Sequence, residues 1–210
     1  MQYRNFFVQE IPYNALVALT YRMAAIFAFG LPLVLLIWSY IQKETSIFRL
    51  LSIYWKVSSL IAISILLLTS KQPIGFISSF ASSIFIIGSI WFWVDLNEEL
   101  NQMPPWRPLP LTVKIWRWIL SFLSILYGIL SFKSLSCFNV ADLQACLSWT
   151  EGPQNLHQIT KIILNFLFGG NWTASLSGFI GYIGLVIYII GFIQWLLIRL
   201  PKQGRIAGGF

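Results

Sequence analysis

Between Lys71 and Asp95 the chain carries no charged residue. The run from Gln72 to Val94 therefore has few folds open to it. About 20 uncharged apolar residues cross the roughly 30 Å hydrocarbon core of a bilayer at 1.5 Å per residue. In lipid the backbone has no water to bond with, so a lone segment crosses as a helix. Pro73 suits a first turn, where its missing N–H loses nothing. Ser78, Ser79, Ser82 and Ser83 fall at helical spacing. Small residues so placed let another helix approach, and Ser79 and Ser83 are expected packing positions. Trp91, Phe92 and Trp93 mark the headgroup level, and Asp95, Glu98 and Glu99 end the run in water.

The rest of the chain repeats this pattern. It is 57% hydrophobic and 10% charged, with a mean hydropathy of +0.74. A soluble domain carries about 25% charged residues, so lipid rather than water organises this one. The expected fold is all-α and polytopic, a single membrane domain of five transmembrane helices. The spans are expected at about 16–42, 48–68, 73–94, 111–132 and 175–200. Gly30 and Pro32 predict a kink in the first span. Lys56 lies about two turns inside the second. The short link Thr69 to Gln72 makes the second and third spans antiparallel neighbours. Asn101 to Leu111 holds Pro104, Pro105, Pro108 and Pro110, and reads as a stiff, extended surface loop. Leu156 to Phe168 is amphipathic and predicts a helix lying in the interface before the last span. Gly170, Ser177, Gly184 and Gly191 recur at every seventh position, which predicts a small-residue seam against a neighbouring helix. Met1 to Tyr13 lacks a basic stretch followed by a short apolar run and a small-residue cleavage site, so no signal peptide is expected.

Five spans put the termini on opposite sides. One side receives Lys43, Arg49, Lys56, Arg107, Lys114, Arg117, Arg199, Lys202 and Arg205; the other receives Arg4, Arg22, Lys71, Lys133 and Lys161. Nine against five places the first set in the cytoplasm, with the N-terminus outside and the C-terminus inside. The loop 133–174 is then extracytoplasmic. It holds Cys137 and Cys146, in a compartment where disulfides persist. A Cys137–Cys146 disulfide is the expected state, with two buried thiols as the alternative. The spacing does not fit a zinc site, and no metal is expected.

Among polar groups, Lys56 and Asp95 form the most informative pair. Antiparallel packing brings their halves of the second and third spans together. An ionisable group inside a span is a functional candidate. The plainer reading is a structural ion pair or a lysine reaching for the interface. His157 is the sole histidine. A pigment ligand and a solvated loop residue are its two readings. Asn171-Trp172-Thr173 matches a glycosylation acceptor, of consequence only in a eukaryotic secretory route. Trp38, Trp91, Trp93, Trp106, Trp116, Trp118 and Trp195 read as an aromatic belt on the cytoplasmic edge, with a docking rim for a larger membrane complex or for flat pigments and quinones as the sharper alternative. Trp106 and Arg107, on the proline loop, are the expected contacts for a partner. The net charge of +7 does not indicate nucleic acid, because the basic residues are scattered beside apolar spans. No HExxH, GxSxG or phosphate-cradling glycine loop occurs, and no cofactor or catalytic set is expected.

Four segments carry a resemblance: YRMAAIFAFGLPLVLLIW (Tyr21 to Trp38), FRLLSIYWKVSSL (Phe48 to Leu60), QPIGF (Gln72 to Phe76) and WFWVDLNEE (Trp91 to Glu99). With LSCF around Cys137 and RLPKQGR (Arg199 to Arg205), they resemble a family of cyanobacterial integral membrane proteins built on a domain of unknown function. The resemblance covers most of the chain. It implies the thylakoid or plasma membrane of a phototroph, with the cysteine loop in the lumen or periplasm, and transfers no catalytic residue. The expected function is a non-enzymatic accessory or assembly protein of a larger membrane complex, with a photosynthetic context. The expected surroundings are the lipid bilayer and a membrane-protein partner or a second copy of the chain. The alternative is a small transporter or channel.

Overall fold

Pro32 has no N–H to donate, and its ring crowds the carbonyl four residues back. That local defect shapes the first span. The computed structural model describes residues 13–104, 106–135, 146, 149–154, 165 and 172–203, which form helices and turns without a strand. The first span is a helix α1 (Tyr13–Ala24), a π-turn (Ala25–Gly30) and a helix α2 (Leu31–Ile41). The wide turn comes just before the proline, where the Leu31 N–H bonds five residues back to the Ile26 carbonyl. Widening the turn shifts the register by a residue, and Pro32 removes a donor, so carbonyls at the bend lose their helical partners. Two of them are met from other helices. Trp116 Nε1 donates to the Phe27 carbonyl at 2.9 Å, and the Tyr54 hydroxyl donates to the Ala28 carbonyl at 2.7 Å. Both donors are buried, and their rings meet edge to face at 5.0 Å. The expected kink is thus a π-turn with its carbonyls capped from outside.

The second span, α3 (Thr45–Thr69), is the central helix and packs against the first, third and fifth. The third is α4 (Ile74–Trp91). A short helix α5 (Val94–Gln102) follows, then the fourth span α6 (Pro108–Ser134). The fifth is α7 (Ala174–Gln194), continued by a π-turn (Trp195–Arg199) and a last turn α8 (Leu200–Gln203). Here too the wide turn precedes a proline, Pro201, and the Leu200 N–H reaches back to the Trp195 carbonyl. Five of these helices are long and apolar enough to cross a membrane: Ala15–Ile41, Thr45–Thr69, Ile74–Trp91, Pro108–Phe132 and Ala174–Ile198. The chain is a multi-pass helical membrane protein.

One expectation needs correcting. The loop expected from Asn101 to Leu111 is shorter at both ends. Pro108 and Pro110 lie in the first turn of α6, where no N–H is required of them, and Asn101 and Gln102 belong to α5. After Trp93 the chain forms the short helix α5, which the sequence reading did not expect. Leu96 and Leu100, four apart, turn inward and are 2% exposed, while Glu98 and Glu99 face outward. Cys137, His157, Gly170 and, apart from residue 165, the interfacial helix expected at 156–168 lie outside the described residues.

Helix packing follows small residues. On α4, Ser78 bonds Ser64 of α3 at 3.0 Å, and a Cβ at Gly75 would stand 3.0 Å from Leu68. The other serine row faces α6, with Ser79 bonded to the Tyr127 hydroxyl and Ser83 against Gly128. Ser78, Ser82 and Ser83 also donate to carbonyls three residues back on their own helix, so they bring no unsatisfied hydroxyl into the interior.

Removing the Tyr54 hydroxyl should strand a carbonyl in a dry interior. Tyr54→Phe is expected to cost about 1–3 kcal/mol in an unfolding titration in detergent. In a Pro32→Ala background, where a backbone N–H returns, the cost should fall by at least half. An equal cost in both backgrounds would show that the hydroxyl does not serve the bend.

Candidate functional site: an aromatic cavity between three spans

Glycines set how closely α7 lies on α3. A Cβ built on Gly178 would collide with Ser70, one on Gly181 would stand 3.0 Å from Leu67 Cγ, and one on Gly184 would stand 3.2 Å from Ile63. These pairings define an antiparallel register. Seven residues further along both helices, the same register sets Gly191 opposite Lys56. There the contact has ended, because a Cβ on Gly191 would meet nothing within 4 Å. Gly88 of α4 is equally open. The fifth span therefore hugs α3 at one end and parts from the bundle toward the other.

The parting leaves a cavity of about 540 Å³ between α3, α4 and α7. Its walls are apolar and largely aromatic: Phe85, Phe92 and Trp93 on one side, Tyr188, Phe192 and Trp195 on the other. Tyr188, Phe192 and Trp195 share one face by their four- and three-residue spacings. Phe192 stacks on Phe85 at 4.9 Å and on Trp195 at 5.9 Å, and Trp195 meets Trp93 edge on at 6.2 Å. The rings bridge a gap that the backbones do not close. Among the described residues lining it, Lys56 is the only charged one. Ser64 pairs with Ser78, and the same antiparallel register levels Trp93 with Arg49. Lys56 is then seven residues, or about 10 Å, deeper than Trp93.

Asp95, expected near Lys56, stands half-buried in the first turn of α5, which packs on α3. The two residues thus lie on neighbouring elements. Among the packing positions, Ser79 and Ser177 are fully buried, Ser83 is 2% exposed and Gly184 touches Ile63. Gly191 instead lines the cavity. Trp106 is 80% exposed. Arg107 bonds Glu44 at 2.9 Å, tying the proline turn to the link between the first two spans. Cys146 is buried beside Trp149, whose carbonyl accepts from Tyr21 at 3.1 Å. Among the described residues, no three His, Cys, Asp or Glu side chains gather where they could hold a metal.

Sequence reasoning counted Arg117 only as a topology charge. The structure buries it to 4% exposure, nine residues or about 13 Å inside α6. It caps the end of α4. One guanidinium nitrogen donates to the Ile90 carbonyl at 2.9 Å and to Asn97 Oδ1, and the Trp91 ring lies 4.2 Å from the guanidinium carbon. Asn97 in turn donates to the Trp91 carbonyl at 3.0 Å. A cation at a helix C-terminus, bonded to the Ile90 carbonyl and covered by an aromatic face, is electrostatically supported without a carboxylate. The burial of Arg117 therefore has a structural account. Lys56 is exposed and lines the cavity.

The two glycine sites should respond with opposite signs. Gly181→Ala forces Leu67 to move and should destabilise by about 1–3 kcal/mol. Gly191→Ala meets no neighbour and should be neutral or stabilising by up to about 1 kcal/mol, through helix propensity. Thermal unfolding in detergent reads both, and equal losses would contradict the divergence of α7.

Compared with models of known families, residues 14–208 match the one described as Protein of unknown function (DUF3177). No curated protein and no solved structure matches the chain.

Proposed function

The chain thus belongs to the DUF3177 family, and on that premise we propose a non-enzymatic accessory role in a larger membrane complex, exercised by holding an apolar ligand in the aromatic cavity. The observation that carries the reading is the cavity itself. Its volume of about 540 Å³ lies in the range of ligand sites, roughly 300–1,000 Å³, and its walls are rings and aliphatic groups. Apolar walls suit a hydrophobic guest better than a hydrated ion, which favours this reading over transport. Trp106, with most of its surface exposed beside a proline turn, supplies a contact for the partner.

The orientation belongs to the same proposal. The positive-inside count supports a cytoplasmic face built from the 42–44 link, α5 and the proline turn, which the Arg107–Glu44 bridge ties together. The resemblance to cyanobacterial membrane proteins supports a thylakoid or plasma membrane and a photosynthetic partner. Cys146 then faces the oxidising side, where a bond to Cys137 would close the loop.

Gentle-detergent purification of tagged protein from native membranes should bring down a larger complex, with Trp106→Ala weakening its recovery. A lone, small oligomer on a native gel would sink the accessory reading. For the cysteines, maleimide labelling of denatured protein should give no adduct until reductant is added, and then two, one per cysteine. Two adducts without reductant would remove the disulfide.

A further inference from the structure

We infer that the cavity's occupant is a lipid-soluble quinone, its flat ring laid against the ring faces around Phe192 and one carbonyl accepting a hydrogen bond from the Tyr188 hydroxyl. The inference rests on reading this cavity as the working site, and it names the ligand class that the site takes. The first observation is the orientation of the rings. Most of the described ring pairs meet edge to face, as Tyr54 does with Trp116 and Phe29 with Trp55, both at 88°. Around the cavity the rings line up instead. The Phe192 plane lies within 5° of Tyr188, 27° of Phe85 and 28° of Trp195. An edge-to-face pair satisfies its own quadrupole, whereas aligned rings present their negative faces together. The carbonyls of a quinone draw electrons out of its ring, so its flat face complements theirs. An acyl chain is neither flat nor polarised and gains nothing from the alignment.

The second observation is a hydroxyl. The register that sets Gly191 opposite Lys56 brings Tyr188 level with Ser59, ten residues or about 15 Å along α3 from Arg49, which is level with Trp93. Tyr188 thus lies near the middle of a roughly 30 Å hydrocarbon core. It makes ring contacts there but no hydrogen bond to any described residue. A phenol donor without an acceptor in hydrocarbon is costly, and a ligand carbonyl supplies the acceptor. The other polar groups of the wall are in use: Ser89 donates to the Ile86 carbonyl at 2.7 Å, and Lys56 interacts within the fold. Ile84, Gly88, Ile187 and Gly191 line the cavity and are exposed, so a quinone can enter sideways from lipid and leave its tail there.

The test loads the purified full chain in neutral detergent with equal amounts of a decyl-tailed benzoquinone and decylbenzene, and measures by mass spectrometry what stays bound through gel filtration. Wild-type protein should retain the benzoquinone about fivefold over decylbenzene, the preference expected of one hydrogen bond. Tyr188→Phe, which keeps the ring, should abolish that preference without lowering decylbenzene. Tyr182→Phe removes a hydroxyl of the same helix that donates to Gln72 at 3.0 Å away from the cavity, and should leave the preference unchanged. Decylcyclohexane, of the same length but not flat, should be retained less than decylbenzene. Gly191→Phe, which fills the cavity, should lower retention of both ring ligands. Equal losses from Tyr188→Phe and Tyr182→Phe would overturn the inference. So would wild-type retention without preference, or retention that Gly191→Phe does not change. A selective, Tyr188-dependent quinone on a protein that purifies without a complex would uphold this inference while ending the accessory reading. A complex recovered equally well with Tyr188→Phe and no quinone preference would do the reverse.

Discussion

A carbonyl left without a donor inside a bilayer has no water to turn to, and this constraint governs the bundle. Pro32 and the π-turn before it release carbonyls in the middle of the first span. The structure meets two of them with Tyr54 from the second span and Trp116 from the fourth. The first, second and fourth spans are thereby fastened at one point. The largest buried cluster, with Leu35, Leu51, Tyr54 and Trp116, is built around that point. Arg117, one residue on, applies the same rule to the end of α4, where its guanidinium and Asn97 take up the last carbonyls. The polar groups of the interior mostly serve backbone, and that accounts for an arginine and so many serines in a chain otherwise apolar.

Packing at the fifth span obeys a different constraint. Lipid gives two apolar helices no hydrophobic reason to associate, so close approach must come from small residues. Gly178, Gly181 and Gly184 supply it along α3, and the approach lapses at Gly191. Nothing comparable draws α7 to α4, and aromatic rings fill the distance instead. The cavity is the consequence of a helix held firmly along part of one neighbour. Its lining lysine comes from α3, the helix against which α2, α4, α5 and α7 all pack.

Much of the fold is legible in the chain because it rests on single segments. The uncharged run after Lys71 announces a span, and Gly30 with Pro32 announces a bend. Lys56 stands out as an ionisable group inside an apolar helix. The small residues Ser177, Gly184 and Gly191 share a seven-residue period, yet the structure divides them between contact and open space. The Leu96–Leu100 pair could have revealed α5, and the Tyr188, Phe192 and Trp195 spacing could have revealed the aromatic face of α7. Arg117 carried no such signal, because its position near the start of a span resembles that of any topology charge.

By itself, then, the sequence determined which five segments are long and apolar enough to cross a membrane, where the first of them bends and which faces are small or aromatic. Each of these follows from one helix and its solvent. Only the tertiary structure decided which donors meet the carbonyls of the bend, that Arg117 caps α4, and that Gly191 opens beside Lys56 while Gly184 closes on Ile63. Those outcomes depend on the register between helices far apart in the chain, and a shift of a few residues in that register would rearrange them all without changing any single helix.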